Sequence, residues 1–277
     1  MLSAFLAALL NPIEVIGTKE IFKKERVNYK SFMVLSFFFI FVFCAIAFIS
    51  LGEVGADFFT PFYLSCMAGI VVVAYFSNLL YYYALSGDKV SNVQPISALS
   101  PIAAMLTAAL FFSDERDWLV LAIASVAATA LLISKIERQH LKFSKYFWAM
   151  VAAIFLIAID SIFAKYLLEV MSSVALYTIR CGFLSFLLLS TLRPNLRVFG
   201  KKRVLSIAGV AFVITIETFG YYYAIHSIGI VKTSLIFLLA PVLALLASKF
   251  YLREEIKPKA AIADVVIILC VLASIFV

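Results

Sequence analysis

Tyr81-Tyr82-Tyr83-Ala84 and Tyr221-Tyr222-Tyr223-Ala224 are the same four residues, 140 positions apart in a chain of 277. The register continues without a gap. Ile96 meets Ile236, Leu99 meets Leu239, Pro101 meets Pro241, Ala104 meets Ala244, Leu106 meets Leu246 and Glu115 meets Glu255. That makes 10 identities in the 35 positions from 81 to 115. Single Leu or Ala matches mean little between apolar segments, but a gapless YYYA, Pro and Glu register is hard to produce by chance. A second match, at an offset of 146, pairs Glu14 with Asp160 and Lys19 with Lys165. The chain therefore reads as two related halves, 1–137 and 138–277.

Composition says where those halves reside. Hydrophobic residues make up 65% of the chain and charged residues 14%, against roughly 45–50% and about 25% in a soluble domain. A water-soluble core of this length could not hide that much apolar surface. A membrane helix needs about 20 mostly apolar residues. Spans are expected near 2–22, 31–52, 62–86, 92–112 and 117–134, then 146–168, 172–192, 204–226, 231–250 and 260–277. The expected fold is an all-α membrane protein of ten transmembrane helices, arranged as two five-helix repeats. An odd number of helices per repeat inverts the second half relative to the first. Inverted repeats about an axis in the membrane plane are a transporter architecture, with the substrate site near the midplane between the halves. The first span is the most interrupted, by Asn11, Pro12, Glu14 and Lys19. Proline is tolerated in a membrane helix where protein or water satisfies the freed carbonyl, which places this helix inside the bundle.

The formal charge of +7 does not read as a nucleic-acid footprint, because the basic residues sit in short connectors, where they act as topology signals. Of the 23 Lys and Arg, 17 fall in the connectors 1–2, 3–4, 5–6, 7–8 and 9–10, against two, Arg116 and Lys232, on the other side. The positive-inside rule then sets both termini outside the cytoplasm, in the plasma or inner membrane. Cys44, Cys66, Cys181 and Cys270 lie singly in apolar runs, without metal or disulfide spacing. No basic region precedes the first apolar stretch, which is expected to remain as a helix rather than be cleaved.

Charged and polar residues inside the spans are the functional candidates, because a charge at the bilayer centre costs at least about 2.5–3.5 kcal/mol. Glu14, Asp160 and Glu217 lie mid-span in helices 1, 6 and 8. Three acids at one depth could bind a cation, accept a coupling proton or hold a cationic substrate. Burial and mutual repulsion favour the protonated form of at least one. The bland reading is a carboxylic acid hydrogen-bonded to a neighbouring helix. Lys19 and Lys165 lie toward helix ends. Snorkelling to the interface is their expected role, with a gate charge as the alternative. Arg180 reads as an interhelix anchor and Asp264 as interfacial.

Tyr75, Asn78 and Tyr82 recur at i, i+3 and i+7, one face of helix 3. The repeat sets Thr215, Thr218 and Tyr222 at the matching positions of helix 8, beside a Glu217–Tyr221 stripe. Such faces suit an aromatic-walled pocket with a few orienting polar groups, or equally an ordinary packed helix face. Gln94, Ser97, Ser100 and Ser234 are weaker candidates. Pro101 and Pro241 are expected to kink helices 4 and 9, as hinges or simply to shape the bundle.

The two copies, YYYALSGDKVSNVQPISALSPIAAMLTAALFFSDERDWLVLA at 81–122 and YYYAIHSIGIVKTSLIFLLAPVLALLASKFYLREEIKPKAAIADVVIIL at 221–269, resemble the drug/metabolite transporter superfamily, in its ten-helix branch with two EamA-like domains. Asp114-Glu115-Arg116 and Glu254-Glu255 occupy the turn where that family has Gly-Glu-Arg, though the Gly is missing from both. The resemblance covers nearly the whole chain and is almost silent on substrate. It implies helices 1, 3, 4, 6, 8 and 9 around a central cavity, with 5 and 10 peripheral. It also implies both termini inside, opposite to the charge-derived orientation.

The leading expectation is a secondary transporter that moves a small metabolite or amphipathic compound by alternating access, with proton coupling or exchange both open. No Walker motif is present, so no ATP site and no cofactor is implied. The expected partners are a small-molecule substrate and the lipid bilayer, not nucleic acid, and the protein is expected as a monomer or homodimer. The alternatives are a non-transporting membrane scaffold or sensor and, less well supported, an intramembrane enzyme. The two histidines, His140 in a connector and His226 at a helix end, give neither metal spacing nor a carboxylate–His pair for the latter.

Overall fold

A computed structural model describes residues 1–24, 27–87, 96, 97, 99–136, 144–194, 200–240, 242, 243 and 258–273. These form α1 (Leu2–Lys24), α2 (Tyr29–Leu51), α3 (Pro61–Gly87), α4 (Ser100–Phe111), α5 (Trp118–Ile136), α6 (Lys145–Leu167), α7 (Ser173–Leu192), α8 (Lys201–Phe237) and α9 (Pro258–Ala273). One-turn 3-10 helices at Ala56–Phe59 and Ser113–Glu115 lie between them. Gln94, His140, Pro241, Glu254 and Glu255 fall outside the described residues, as do the 137/138 boundary and the connector residues Arg26, Lys89, Arg138, Lys142, Arg197, Arg253 and Lys257.

Helix is what these sequences must form in hydrocarbon, where each backbone N–H and C=O has to be satisfied within its own segment. Six helices (α1, α2, α3, α6, α7 and α8) are long and apolar enough to cross a membrane. Several starts are marked by side-chain caps, which satisfy the first free N–H groups. Ser144 Oγ accepts from Phe147 N–H at 3.2 Å, Ser172 Oγ from Ala175 N–H at 3.2 Å, and Asp117 Oδ1 from Leu119 N–H at 2.9 Å.

Two of the expected boundaries differ from the structure. Span 204–226 runs on into the first residues of span 231–250 as one helix, α8, which ends at Phe237 and bends at Gly229 (φ 81°, ψ 172°). That backbone conformation is open to glycine at no steric cost. Pro101, expected as a mid-span kink, instead stands in the first turn of α4, where its missing N–H removes no helical hydrogen bond.

The packing pairs helices across the two halves. The most extensive contacts are α3 with α6 and α1 with α8; α2 packs on α7 and α5 on α9. Exchanging each helix for its counterpart in the repeat turns the α3–α6 contact into α8–α1 and returns the others to themselves. Outward faces carry large apolar residues such as Ile46, Ile49, Phe186 and Leu205, suited to acyl chains. Where the 2–3 and 6–7 connectors meet, Gly55 N–H donates to Val170 O at 2.7 Å and Ser172 N–H to Glu53 O at 2.9 Å.

Candidate functional site

Between the paired helices lies a cavity of about 290 Å³. Glu14, Asn78, Tyr82, Asp160, Glu217 and Tyr221 all line it. They arrive from four helices: α1, α3, α6 and α8. Tyr222 stands one position behind, buried, with its hydroxyl 3.3 Å from Asp160 Oδ2. Ser97, Ser100, Thr218 and Ser234 also line the cavity. The expected polar stripe on α3 only half reaches it. Tyr75 turns away and its hydroxyl donates to Thr191 Oγ1 on α7 at 3.2 Å. Thr215 is spent on its own helix, donating to Ala211 O at 2.7 Å.

The three acids are buried, with exposures of 9% for Glu14, 8% for Asp160 and 8% for Glu217, but they are held differently. Arg180 Nη2 lies 2.6 Å from Asp160 Oδ1. Glu217 Oε1 accepts from the Asn11 amide at 2.9 Å, while its Oε2 is buried without a hydrogen-bond partner. Neither Glu14 nor Glu217 forms an ion pair among the described residues. Two of the cavity's acids, Glu14 and Glu217, are thus without a cationic partner, and the third stands in a neutralised pair. Aromatic rings wall the cavity: Tyr81, Tyr177 and Tyr221 line it. Tyr221 shares a hydrogen bond of 3.2 Å with Ser161, and its ring centroid lies 4.9 Å from that of Phe237.

Three participants were not singled out from sequence as cavity residues: Asn11, Tyr177 and Arg180. Helical spacing held a signal for each. Asn11 lies three residues before Glu14, and Tyr177 three before Arg180, so each pair shares a face.

The two lysines expected at the interface or a gate lie at helix ends. The Lys19 ammonium donates to Leu85 O near the end of α3. Lys165, only 16% exposed, does not reach out into solvent: its Nζ lies 2.5 Å from Asp114 Oδ2 and 2.6 Å from Glu115 Oε1. Phe112 covers it, with the ring centroid at 4.5 Å. Glu115 also accepts the N–H groups of Ile230 at 2.8 Å and Val231 at 3.0 Å, the first free donors after the Gly229 bend. Arg116 Nε and Nη2 donate to Ala109 O and Leu110 O, the last carbonyls of α4, at 2.7 and 3.0 Å.

The Lys165 ammonium beside Asp114 holds that carboxyl below its usual range. A lowered value in the folded protein stabilises the fold above the ordinary carboxylate value of about 3.9, and the gain is lost as pH falls through the folded value. Asp114 is 67% exposed, so solvent screens most of the gain. Asp114→Asn is expected to cost less than about 1 kcal/mol, read as a small fall in Tm at neutral pH that vanishes in strong acid.

Among the described residues no group of three or more His, Cys, Asp or Glu could hold a metal ion. No curated protein matches the chain. A solved crystal structure, 16% identical in sequence, superposes with a TM-score of 0.77 over 99% of this chain and 96% of its own, which shows a shared fold. Residues 143–276 match the EamA-like transporter family. The apolar helices fit a multi-pass membrane protein, and the second half of the chain is similar to an EamA-like transporter domain.

Proposed function

We propose that this protein is a secondary transporter that carries a small metabolite or amphipathic compound through the cavity by alternating access, with a proton bound at the Glu14–Glu217 end as the coupling species. The carrying observation is the cavity itself, which gathers acids distant in sequence where a purely structural bundle would pack apolar side chains. In this reading ten helices cross the membrane, α8 supplying one of them before Gly229 and the start of another after it. They form two inverted repeats, 1–137 and 138–277. The exchange of contacts between α3–α6 and α1–α8 supports that symmetry. Rocking one repeat against the other would then open the cavity to each side in turn. Uptake by proteoliposomes of the purified full-length chain tests this. An imposed pH difference should drive accumulation of a compound that also shifts the protein's Tm. A compound that binds yet never crosses would make the protein a sensor instead.

The same reading places both termini outside the cytoplasm, because 17 basic residues lie on one side. Lys201, exposed at the start of α8, is on that side. A Lys201→Cys variant is expected to resist membrane-impermeant maleimide in intact cells and to label after permeabilisation. Labelling in intact cells would reverse the orientation.

A further inference from the structure

Arg180 is held in a way that leaves it half used. A guanidinium normally meets a carboxylate through two parallel hydrogen bonds. Here Asp160 takes Nη2 with Oδ1 at 2.6 Å and turns Oδ2 to the Tyr222 hydroxyl at 3.3 Å. Arg180 Nε is buried with no hydrogen-bond partner, and the side chain is only 9% exposed. The Tyr177 and Tyr222 rings, with centroids 6.0 and 5.9 Å from the guanidinium carbon, hold it against the cavity that it lines. A buried donor left without a partner is costly. A second orphan of opposite sense, Glu217 Oε2, belongs to the same cavity. Five residues separate Glu217 from Tyr222, about 7.5 Å along the helix axis. Tyr222 in turn contacts Asp160 beside Arg180. The two orphans thus come from different helices, α8 and α7, into the lining of one cavity that Tyr177 and Tyr221 also wall.

We propose that Arg180 is an anion-recognising pole of this cavity and that its ligand is a dipolar molecule, with an ammonium toward Glu14 and Glu217 and a carboxylate toward Arg180. A simple cation answers the acidic end and leaves Arg180 Nε bare. A simple anion meets the uncompensated carboxylates. A zwitterion satisfies both orphans and adds no net charge to a buried site. This rests on the reading of the cavity as a substrate site, and it makes Arg180 a specificity residue rather than only a link between α6 and α7.

Three six-carbon probes separate the poles: hexylamine, hexanoate and 6-aminohexanoate, titrated against purified full-length protein in nanodiscs by thermal shift and calorimetry. 6-Aminohexanoate is expected to bind at least about tenfold tighter than either single-pole probe, the worth of one hydrogen bond to a charged group. Arg180→Gln should remove that advantage while hexylamine binding is kept or tightened, because the variant also bares Asp160. Asp160→Asn, which frees Arg180 and does not depend on the first variant folding, should admit hexanoate. Equal binding of hexylamine and 6-aminohexanoate overturns the proposal, as does no response to 6-aminohexanoate or no gain of hexanoate in Asp160→Asn. Because these are binding measurements without a gradient, zwitterion binding with no flux into proteoliposomes would sink the transport reading alone. Flux of hexylamine with no preference for the zwitterion would sink this one alone.

Discussion

Glu217→Gln is expected to end accumulation driven by a pH difference while exchange of substrate across proteoliposomes persists. Glutamine preserves the shape and still accepts the hydrogen bond that Asn11 gives to Oε1 at 2.9 Å. What it removes is the ability to take up and release a proton at Oε2, the oxygen that has no partner. No described Lys or Arg pairs with Glu217 or Glu14, so a proton or a cationic ligand must answer their charge. A pH difference of one unit is worth about 1.4 kcal/mol per proton, or about tenfold accumulation. The Gln variant is expected at parity under the same gradient, with equilibrium exchange reduced but still measurable because Glu14 remains to face the substrate. Accumulation by the variant on a pH difference alone would remove Glu217 as the proton carrier and pass the role to Glu14.

The acids were legible in sequence because their cost is general. A carboxyl in the middle of an apolar span has to face something polar, so Glu14, Asp160 and Glu217 could be expected to meet before any contact was known. Their partners were not legible. Asp160 and Arg180 lie 20 residues apart on different helices, and a lone Arg near the start of a span looks the same whether it anchors two helices or faces a cavity. Asn11 carries no charge and registered only as an interruption of the first span. Tyr75 shows the limit of periodicity. It shares a helical face with Asn78 and Tyr82, but the stripe covers about 10 Å of helix, and only its latter part borders the cavity, so Tyr75 reaches Thr191 instead. The repeat exposed the division into halves, yet identity of residues at 81–84 and 221–224 did not carry identity of role. Tyr82 packs edge-on against Phe22 and Phe32, with ring centroids 6.5 and 5.3 Å away, whereas its counterpart Tyr222 supports the Asp160–Arg180 pair. A shared backbone leaves each half free to spend the same side chain differently.

Glu115→Ala is expected to be the most destabilising of the single substitutions considered, although the residue lies outside the cavity and in a turn. Its carboxylate is buried, with the side chain 5% exposed. It holds Lys165 at 2.6 Å and the N–H groups of Ile230 and Val231 at 2.8 and 3.0 Å. Truncation leaves Lys165 with the screened Asp114 alone and bares two helix-start donors. Breaking a buried pair in this way costs about 3–5 kcal/mol, on the order of 10 °C in Tm for a chain of this size. Gly229→Ala should act through the same carboxylate. An added Cβ would lie 2.6 Å from Glu115 Oε1, at a φ of 81° that L side chains resist, a conformational cost of about 1–2 kcal/mol before the displaced carboxylate is counted. Substitutions that share one partner are not additive. The Glu115→Ala/Gly229→Ala double variant should therefore lose distinctly less Tm than the two single losses added together. Glu115→Gln, which keeps an acceptor for the N–H groups but leaves Lys165 uncompensated, should fall between the parent and Glu115→Ala. Full additivity, or a Gly229→Ala variant as stable as the parent, would mean that the bend does not depend on the Glu115 carboxylate. Loss of this contact would free the turn after α4 from the end of α6 and the bend in α8, three elements that the carboxylate joins at one end of the bundle.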